Sequence, residues 1–382
     1  YITANQESKI EYITVENSNI TGLNYVGGVF GSGKVSRATV RNSNISGNNR
    51  VGGIGGLQIT AHGKNELEAL LVEKSVIQGT GEEIGGIGGY INYMYQDNIK
   101  HAEVIECTIL GTTANSNKVG GIAGYSGPIK NVSVKDSYIS SKGSQVGGIS
   151  GQSASAIWIA FVQNTEIEGY SEVGGIAGKH ATNIITYTYN NAKVVATAHS
   201  AGGVIGYLNN IGMTETNNVS QIANTYVTNS TIQAPEKVGG IIGASEEPLL
   251  GTGEKYRRIL VEAKIIANDE QTASLGIGNR KEDSTKFVDT YVYEYSTING
   301  NFVSTQNDTF TTNQYASLDD LKSQSFYTSK LKWGSIYNYN ILVENKYPIL
   351  NYAYLPEQTG IDLPTEPGEQ GITTNSVLPQ LT

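Results

Sequence analysis

The sequence is poor in the residues that crosslink small domains or bind metals. Its 382 residues include one cysteine, Cys107, which excludes an internal disulfide framework and any cysteine-based zinc site. The 4 histidines are widely separated, and none stands in the His-Glu-x-x-His arrangement that places two zinc ligands and a base on one helical face. We therefore expect no catalytic residue, no metal and no cofactor, and we interpret the chain as non-enzymatic.

Positive charge and long apolar runs are also scarce. The 26 Lys and Arg residues against 35 Asp and Glu give a formal net charge of -9. Duplex nucleic acid and anionic bilayers are bound through clustered Lys and Arg, so we expect neither as a partner. No apolar run approaches the length of a membrane-spanning segment, so we expect no membrane insertion. Because the sequence opens in a strand-like pattern without a starting Met, we interpret it as a fragment of a larger secreted protein.

Glycine is abundant, and much of it belongs to one repeated phrase, apolar-Gly-Gly-apolar-x-Gly. Eight copies begin at Val26, Val51, Ile84, Val119, Val146, Val173, Ala201 and Val238. Their spacing varies because some repeats carry insertions, but a period of this size is typical of a solenoid. Upstream of each phrase, as in Ile10 to Gly22, apolar and polar residues alternate, break at Asn-Ser and resume with Ile. This pattern predicts a strand, a turn and a short strand.

Together these segments predict an all-β fold, a parallel β-helix with about three strands in each coil. We expect a right-handed helix of about ten coils, and a rise of roughly 4.8 Å per coil gives a rod of about 45 Å. In such a stack the apolar residues of the phrase form inward ladders, and its paired glycines suit either a positive φ or a close backbone approach.

A second column beside the turn contains hydroxyl side chains, which can satisfy the amides of the turn. We assign to it Ser18, Ser43, Ser75, Thr108, Ser137, Thr165 and Ser230. Cys107 then falls where other repeats have Asn17, Asn42, Asp136 or Asn164, so we interpret it as a turn residue.

The phrase [Val/Ile]-Gly-Gly-[Ile/Val]-x-Gly, after Asn-x-x-Val-x-Asn-Ser-x-Ile, resembles the GLUG repeat of secreted and surface-attached bacterial proteins. The resemblance covers roughly residues 10 to 300. The same repeat occurs in the amino-terminal region of immunoglobulin-A-cleaving zinc metallopeptidases of Gram-positive bacteria. The resemblance implies an extracellular, cell-surface-attached protein, either an adhesin or a non-catalytic arm of a protease.

The chain divides into three parts on this interpretation. Residues 1–300 form the β-helix, residues 301–355 form a small C-terminal cap, and residues 356–382, rich in Pro, Gly and acids, form a tail or linker. Within the cap, Ser317 followed by Asp320 predicts a short helix with a side-chain cap at its start. A cap is needed because the last coil would otherwise expose its core.

Catalysis by a β-helix requires acids clustered on one strand face, as in polysaccharide lyases and hydrolases. The acid pairs of this chain do not fit that pattern. Asp319 and Asp320 stand at the predicted helix start, and the pairs at 82–83 and 246–247 stand in predicted loops, where a solvated face explains them.

Tyrosine is the remaining signal, with 24 residues against 6 phenylalanines. Tyrosine has a ring with a polar group that suits a surface, and three tyrosines occupy the same slot directly after the glycine phrase. Two of them, on consecutive coils, are expected to stack. Apolar residues of the adjoining long loops indicate an interaction site, or alternatively loops that fold back over the core. The candidate ligand-binding residues are Tyr90, Tyr93, Met94, Tyr95, Tyr125, Tyr207 and Met213.

Two function classes follow. In the first, a monomeric binding module of the cell surface adheres to an insoluble polysaccharide such as cellulose, or to another host or cell-surface ligand, through exposed tyrosines that form a flat platform. Its architecture is similar to that of the cellulose-adhering tapirins. In the second, the β-helix is a structural or substrate-positioning arm of a secreted zinc metallopeptidase. We favour the first.

Overall fold

The computed structural model describes residues 10–33, 35–58, 67–91, 99–181, 185–209, 222–245, 256–279, 287–303, 314–335, 337–350 and 361–364. The fold is nearly all β, with 63% strand and 8% helix, and its strands stack in parallel coils. This confirms the predicted β-solenoid. We number the coils 1 to 10 from their first described strand residues, which are Ile10, Val35, Leu67, Ile99, Ile129, Ile157, Ile185, Ile222, Tyr256 and Phe287.

The strands of successive coils stack in four columns, and each complete coil contributes to all four. Three columns form a first sheet and the fourth forms a second sheet. The first column begins with β1 (Ile10–Glu16), β5 (Val35–Arg41), β9 (Leu67–Glu73), β13 (Ile99–Ile105) and β17 (Ile129–Lys135). The second begins with β2 (Asn19–Thr21), β6 (Asn44–Gly47), β10 (Val76–Gly79), β14 (Thr108–Gly111) and β18 (Tyr138–Ser141). The third begins with β3 (Asn24–Gly27), β7 (Asn49–Gly52), β11 (Ile84–Gly85), β15 (Val119–Gly120) and β19 (Val146–Gly147).

From coil 6 onwards the strands of the first sheet merge. Two strands run through all three columns, β21 (Ile157–Gly174) and β23 (Ile185–Gly202). Coils 8 and 9 use two strands each, β25 (Ile222–Ala234) with β26 (Val238–Gly239), and β28 (Tyr256–Ala267) with β29 (Ala273–Ser274). The second sheet contains β4 (Phe30–Gly33), β8 (Gly55–Gln58), β12 (Gly88–Ile91), β16 (Ala123–Ser126), β20 (Ser150–Ser153), β22 (Ala177–His180), β24 (Ile205–Leu208) and β27 (Ile242–Ser245).

The number of strands and turns differs from the prediction. The glycine phrase supplies two strands instead of one, because the chain bends inside it, at Gly121–Ile122 between β15 and β16 for example. Among the described residues, the second sheet has eight strands, one from each of coils 1 to 8, and the solenoid makes about 7 turns instead of the ten predicted. The shortfall is at the C-terminal end. Within the described residues, coil 9 meets the second sheet through an isolated bridge between Ile242 and Ile277 and forms no strand there, and coil 10 includes no glycine phrase.

The paired glycines are required by close approach and not by their φ angles. A Cβ added to Gly121 would overlap the carbonyl oxygen of Gly148 on the next coil and would lie 2.7 Å from Val134 Cγ2. The left-handed conformation instead belongs to the residue before the phrase, as in Arg50 with φ 57° and Lys118 with φ 60°. The apolar residues of the phrase point inward as predicted, and nearly all are fully buried.

The hydroxyl column satisfies turn amides, as expected, and joins successive coils. Ser137 Oγ accepts a hydrogen bond of 3.1 Å from the Cys107 N–H and donates one of 2.7 Å to the Lys135 carbonyl. The register corrects the assignments of Thr108 to the hydroxyl column and of Cys107 to the turn. Val76 lies opposite Thr108, so Ser75 lies opposite Cys107. Cys107 therefore belongs to the hydroxyl column, and Glu106, with φ 51°, is the turn residue of its coil. The Sγ donates to the Ile105 carbonyl at 3.2 Å, so the thiol replaces a serine.

The last coil and the residues after it contain short elements. The strands are β30 (Phe287–Val288), β31 (Tyr291–Tyr293), β32 (Thr297–Ile298), β33 (Asn301–Phe302), β34 (Tyr315–Ala316), β35 (Tyr337–Asn338) and β36 (Ile349–Leu350). The helical turns are α1 (Leu318–Lys322), Phe326–Lys330 and Asn340–Glu344, and coil 9 has a further one at Glu270–Thr272. The predicted capping box is present, with the Asp320 N–H donating to Ser317 Oγ at 3.1 Å and the Ser317 N–H donating to Asp320 Oδ2 at 3.1 Å.

The segment after β34 packs on the flank of the first sheet, over its outward side chains. Tyr226 is fully buried there, with its ring centroid 5.5 Å from that of Trp333 and 6.1 Å from that of Tyr347. Trp333 stacks in turn on Tyr337 at 4.4 Å. The outward column that includes Tyr226 is apolar in the coils beneath this aromatic cluster, at Phe161 and Leu260 for example, whereas coils 1 and 2 have threonine there. The cap therefore covers a side of the solenoid as well as continuing its end.

Candidate functional site: the tyrosine column of the second sheet

Tyr90, Tyr125 and Tyr207 lie in one column on the outer surface of the second sheet. Each is the third residue of a four-residue strand whose other positions are buried, so its side chain is the one that reaches solvent. The register places the column in the order Ser32, Leu57, Tyr90, Tyr125, Gln152, Lys179, Tyr207 and Ala244. The sequence slot directly after the glycine phrase therefore corresponds to one surface column.

Tyr90 and Tyr125 stack on each other, as expected from their adjacent coils. Their ring centroids are 4.9 Å apart and their planes differ by 5°. A contact of this kind contributes about 0.5–1.5 kcal/mol beyond area burial. Because each ring shares one face with the other, the pair is a stacked unit and not two flat platforms side by side.

Arg50 extends this stack on the side of Tyr90. Its guanidinium carbon lies 4.5 Å from the centroid of Tyr90 and 5.3 Å from that of Tyr25. Its Nε donates to Glu83 Oε2 at 2.7 Å, which fixes the plane of the guanidinium. Burial alone lowers the pKa of Arg50, but the hydrogen bond and the charge of Glu83 outweigh burial and raise it. The result is a ladder of Tyr25, Arg50, Tyr90 and Tyr125 across four coils.

A line of alternating charges runs beside this ladder, in the left-handed residues that precede the glycine phrase. Glu83 pairs with Arg50 on the coil before it, and it also accepts from Lys118 Nζ at 3.5 Å. Lys118 makes a shorter contact of 2.9 Å with Glu82. Burial lowers the pKa of Lys118, but its bonds and charge interactions with Glu82 and Glu83 raise it above its ordinary value. The acids at 82–83, which the sequence suggested are only solvated, therefore hold the two cations in place.

Tyr207 stands apart from this pair in the same column. Three strand steps of roughly 4.8 Å separate it from Tyr125, or about 14 Å. Lys179 Nζ lies 5.1 Å from its ring centroid, so a cation again covers one face of a tyrosine. The column thus repeats one chemistry, a tyrosine with a cation over its ring, at two places along the solenoid.

The other candidate residues, Tyr93, Met94, Tyr95 and Met213, lie outside the described residues. The cations Arg50 and Lys179 were not identified from the sequence. The signal was available for both, since Arg50 directly precedes the glycine phrase and Lys179 occupies the tyrosine slot of its own repeat.

The described residues contain no group of three His, Cys, Asp or Glu side chains placed to hold a metal ion. Burial raises the pKa of the Cys107 thiol to about 12, so this cysteine remains protonated at neutral pH and is a poor nucleophile. Among the same residues, no helix has the length and apolarity needed to cross a membrane.

Comparison with known proteins finds similarity to a solved structure. No family model and no curated protein matches the chain. Among solved structures, the chain is similar to a putative immunoglobulin A1 protease from Bacteroides ovatus, with a TM-score of 0.45 and 16% identity over 69% of this chain and 78% of that chain.

Proposed function

We propose that this chain is a non-catalytic, extracellular binding module of a cell-surface protein, and that it adheres to an insoluble polysaccharide such as cellulose. The ligand lies along the second sheet and contacts Tyr90, Tyr125 and Tyr207. The single observation that supports this proposal is their alignment in one outward column, with Arg50 and Lys179 beside the rings.

The geometry suits a long, repeating ligand. A solenoid presents equivalent side chains at each step of roughly 4.8 Å, so a linear polymer that follows the column meets the same chemistry several times. Tyrosine edges and hydroxyls offer apolar contact together with hydrogen bonds, which is the combination that a sugar surface requires. Several weak contacts along one polymer then add up to a useful affinity.

The test is adsorption of the purified protein to crystalline cellulose and to other insoluble glucans. Each ring is expected to contribute about 1 kcal/mol, so single Tyr→Ala variants weaken adsorption by about fivefold and the triple variant by about a hundredfold. Tyr170→Ala is the matched control, because Tyr170 is 54% exposed and lies outside the column. Adsorption is expected to survive raised salt, because apolar contact is not screened.

The alternative is a structural or substrate-positioning arm of a secreted zinc metallopeptidase. An arm of this kind needs no ligand on the second sheet. Absence of adsorption by the wild-type chain, or equal adsorption by the wild type and the triple variant, would reject the tyrosine column as a polysaccharide site and favour the arm.

A further inference from the structure

A pocket of about 320 Å³ lies on the flank of the first sheet, in coils 8 to 10. This volume is at the lower end of the range of roughly 300–1,000 Å³ found for small-ligand sites. The pocket is lined by the polar side chains of Asn229, Thr231, Glu262 and Lys264. Its apolar lining includes the aromatic rings of Tyr295 and Phe302, together with Pro364. The pocket belongs to a different sheet from the tyrosine column.

The pocket forms because neighbouring coils differ in length at one corner. The corner between the first and second strand columns contains three residues in coil 8 (228–230), two in coil 9 (262–263) and four in coil 10 (293–296). The short corner of coil 9 leaves a recess between two longer ones. The extra residues of coil 10 carry Tyr295, which is 37% exposed, to the edge of that recess.

At the short corner of coil 9, the Glu262 side chain accepts a hydrogen bond that a backbone carbonyl accepts in other coils. In the early coils the turn residue donates its N–H to a carbonyl of the following coil, as Asn42 does to Glu73 at 3.2 Å. At coil 9 no such carbonyl is in place, and the Asn229 N–H donates instead to Glu262 Oε2 at 2.9 Å. The Tyr347 hydroxyl donates to the same oxygen at 2.9 Å.

Within the described residues, another corner is bridged in the same way, and there the acceptor is a neutral side chain. Coil 7 also has a shorter corner than coil 6, and the Asn164 N–H donates to Asn191 Oδ1 at 3.3 Å. An amide oxygen is therefore sufficient for the fold. Glu262 has a second carboxylate oxygen, and within the described residues Oε1 makes no hydrogen bond to the protein. This oxygen is available to a ligand in the pocket.

From this arrangement we propose that the pocket binds a neutral sugar, one or two pyranose rings in size, with Glu262 Oε1 accepting a hydrogen bond from a sugar hydroxyl. Tyr295 and Phe302 meet edge to face, with centroids 5.4 Å apart, and offer apolar surface for the carbon-bound face of the ring. The polar wall residues supply further donors and acceptors. Mixed aromatic and hydroxyl-binding surfaces of this kind suit a polyhydroxylated ring.

The charge of the pocket argues against an ionic ligand. Lys264 lines the same pocket as Glu262. A cationic ligand would therefore be repelled by Lys264, and an anionic ligand by Glu262. Burial also raises the pKa of Glu262 to about 7, so near neutral pH its carboxyl group carries only part of a charge. A neutral ligand avoids both costs.

The proposal is tested by titrating the purified chain with glucose, galactose, mannose, N-acetylglucosamine and cellobiose, using ligand-observed NMR and calorimetry. At least one of these sugars is expected to bind. Glu262→Gln retains an oxygen for the Asn229 N–H but removes the carboxylate, and it is expected to weaken binding at least tenfold, as is Tyr295→Ala. The matched controls are Glu168→Gln, since Glu168 also accepts a tyrosine hydroxyl, from Tyr138 at 2.7 Å, and Tyr170→Ala.

The outcomes separate this site from the tyrosine column. Sugar binding that is lost in Glu262→Gln and Tyr295→Ala, but retained in the controls and in the triple tyrosine variant, supports the pocket whether or not the protein adsorbs to cellulose. The proposal is overturned if none of the five sugars binds, if both pocket variants bind as the wild type does, or if the diamine putrescine binds and the sugars do not. Circular dichroism of each variant confirms that the loss is not unfolding.

Discussion

Replacement of Gly148 by alanine tests the packing principle on which the solenoid depends. A Cβ at this position would overlap the carbonyl oxygen of Gly175 on the next coil, and would lie 2.7 Å from Val162 Cγ2 and 3.1 Å from Ile167 Cδ1. The carbonyl belongs to a stacked backbone and the two side chains are fully buried, so none of the three can move away freely. The neighbouring coils must therefore separate locally, or the inward ladder must shift.

The expected size of the effect follows from two opposing terms. Overpacking of a tight core costs typically about 1–3 kcal/mol. Alanine restricts the unfolded chain and returns about 0.4–1 kcal/mol where the native backbone accepts it. Because the nearest overlap at Gly148 is with backbone, we take the upper end of the overpacking cost. After the return is subtracted, we expect Gly148→Ala to lower the free energy of unfolding by about 2 kcal/mol, and Gly148→Val or Gly121→Val to lower it further.

Two other glycines serve as controls. Gly334 has no heavy atom within 4 Å of its added Cβ, so Gly334→Ala is expected to be neutral or slightly stabilising. Gly300 has equally open surroundings but a φ of 83°. Gly300→Ala is therefore expected to cost about 1 kcal/mol through the backbone alone.

Urea unfolding followed by far-ultraviolet circular dichroism measures all these variants, with equal denaturant slopes as the condition for comparing them. The reasoning is refuted if Gly148→Ala is as stable as the wild type, or if it differs from the wild type by no more than Gly334→Ala does. A loss in Gly300→Ala equal to that in Gly148→Ala would show that backbone conformation, and not close approach, dominates.

Three further predictions concern single side chains. Asn190 stands in the inward valine column. Its Oδ1 is buried without a hydrogen bond, and its Nδ2 donates to the Gly203 carbonyl at 3.0 Å. Asn190→Val should raise the free energy of unfolding, measured in urea, by about 1 kcal/mol, because a buried unsatisfied acceptor costs more than one hydrogen bond returns. Burial raises the pKa of Glu262 from 4.5 to about 7, so the folded chain keeps a proton that the unfolded chain loses, and unfolding titrations should show stability falling as the pH rises between about 5 and 7. Glu262→Gln should remove that fall, and a wild-type slope retained in this variant would contradict the assignment. Ser317→Ala should lower stability by about 1 kcal/mol, measured by tryptophan fluorescence, through loss of the bond from the Asp320 N–H, and no change would show that the capping box is dispensable.

Local repetition made much of the fold predictable from the sequence. The glycine phrase and the alternation before it correctly indicated strands, inward ladders and stacking of coils. Tyr90 and Tyr125 were expected to stack for the same reason, since one slot in the repeat is one column in the structure. The helix at Ser317 followed from a capping pattern that needs only four residues.

The sequence-based predictions were wrong or incomplete where a residue's position depends on strand register or on contacts between distant segments. Cys107 was misplaced by one residue, because the pairing of Ser75 with Cys107 becomes visible only when two coils are aligned. The contact of Arg50 with Glu83 joins residues 33 positions apart. To predict the recess at Glu262, the lengths of three successive corners must be known together. No short sequence pattern carries this information.

The position of the cap on the flank has a physical cause in the backbone of the first strand column. A left-handed residue interrupts the middle of this column in most coils, including Asn224 and Arg258. Cap side chains bind the carbonyls of these two residues, since the Tyr337 hydroxyl donates to the Asn224 carbonyl and Trp333 Nε1 donates to the Arg258 carbonyl at 3.0 Å. The cap thus recognises the irregular backbone through hydrogen bonds and the apolar outward column through aromatic packing. Because the cap needs both features together, it binds at this end of the solenoid. At the edge of the cap, the Tyr347 hydroxyl donates to Glu262 and helps to hold the carboxylate of the proposed sugar pocket.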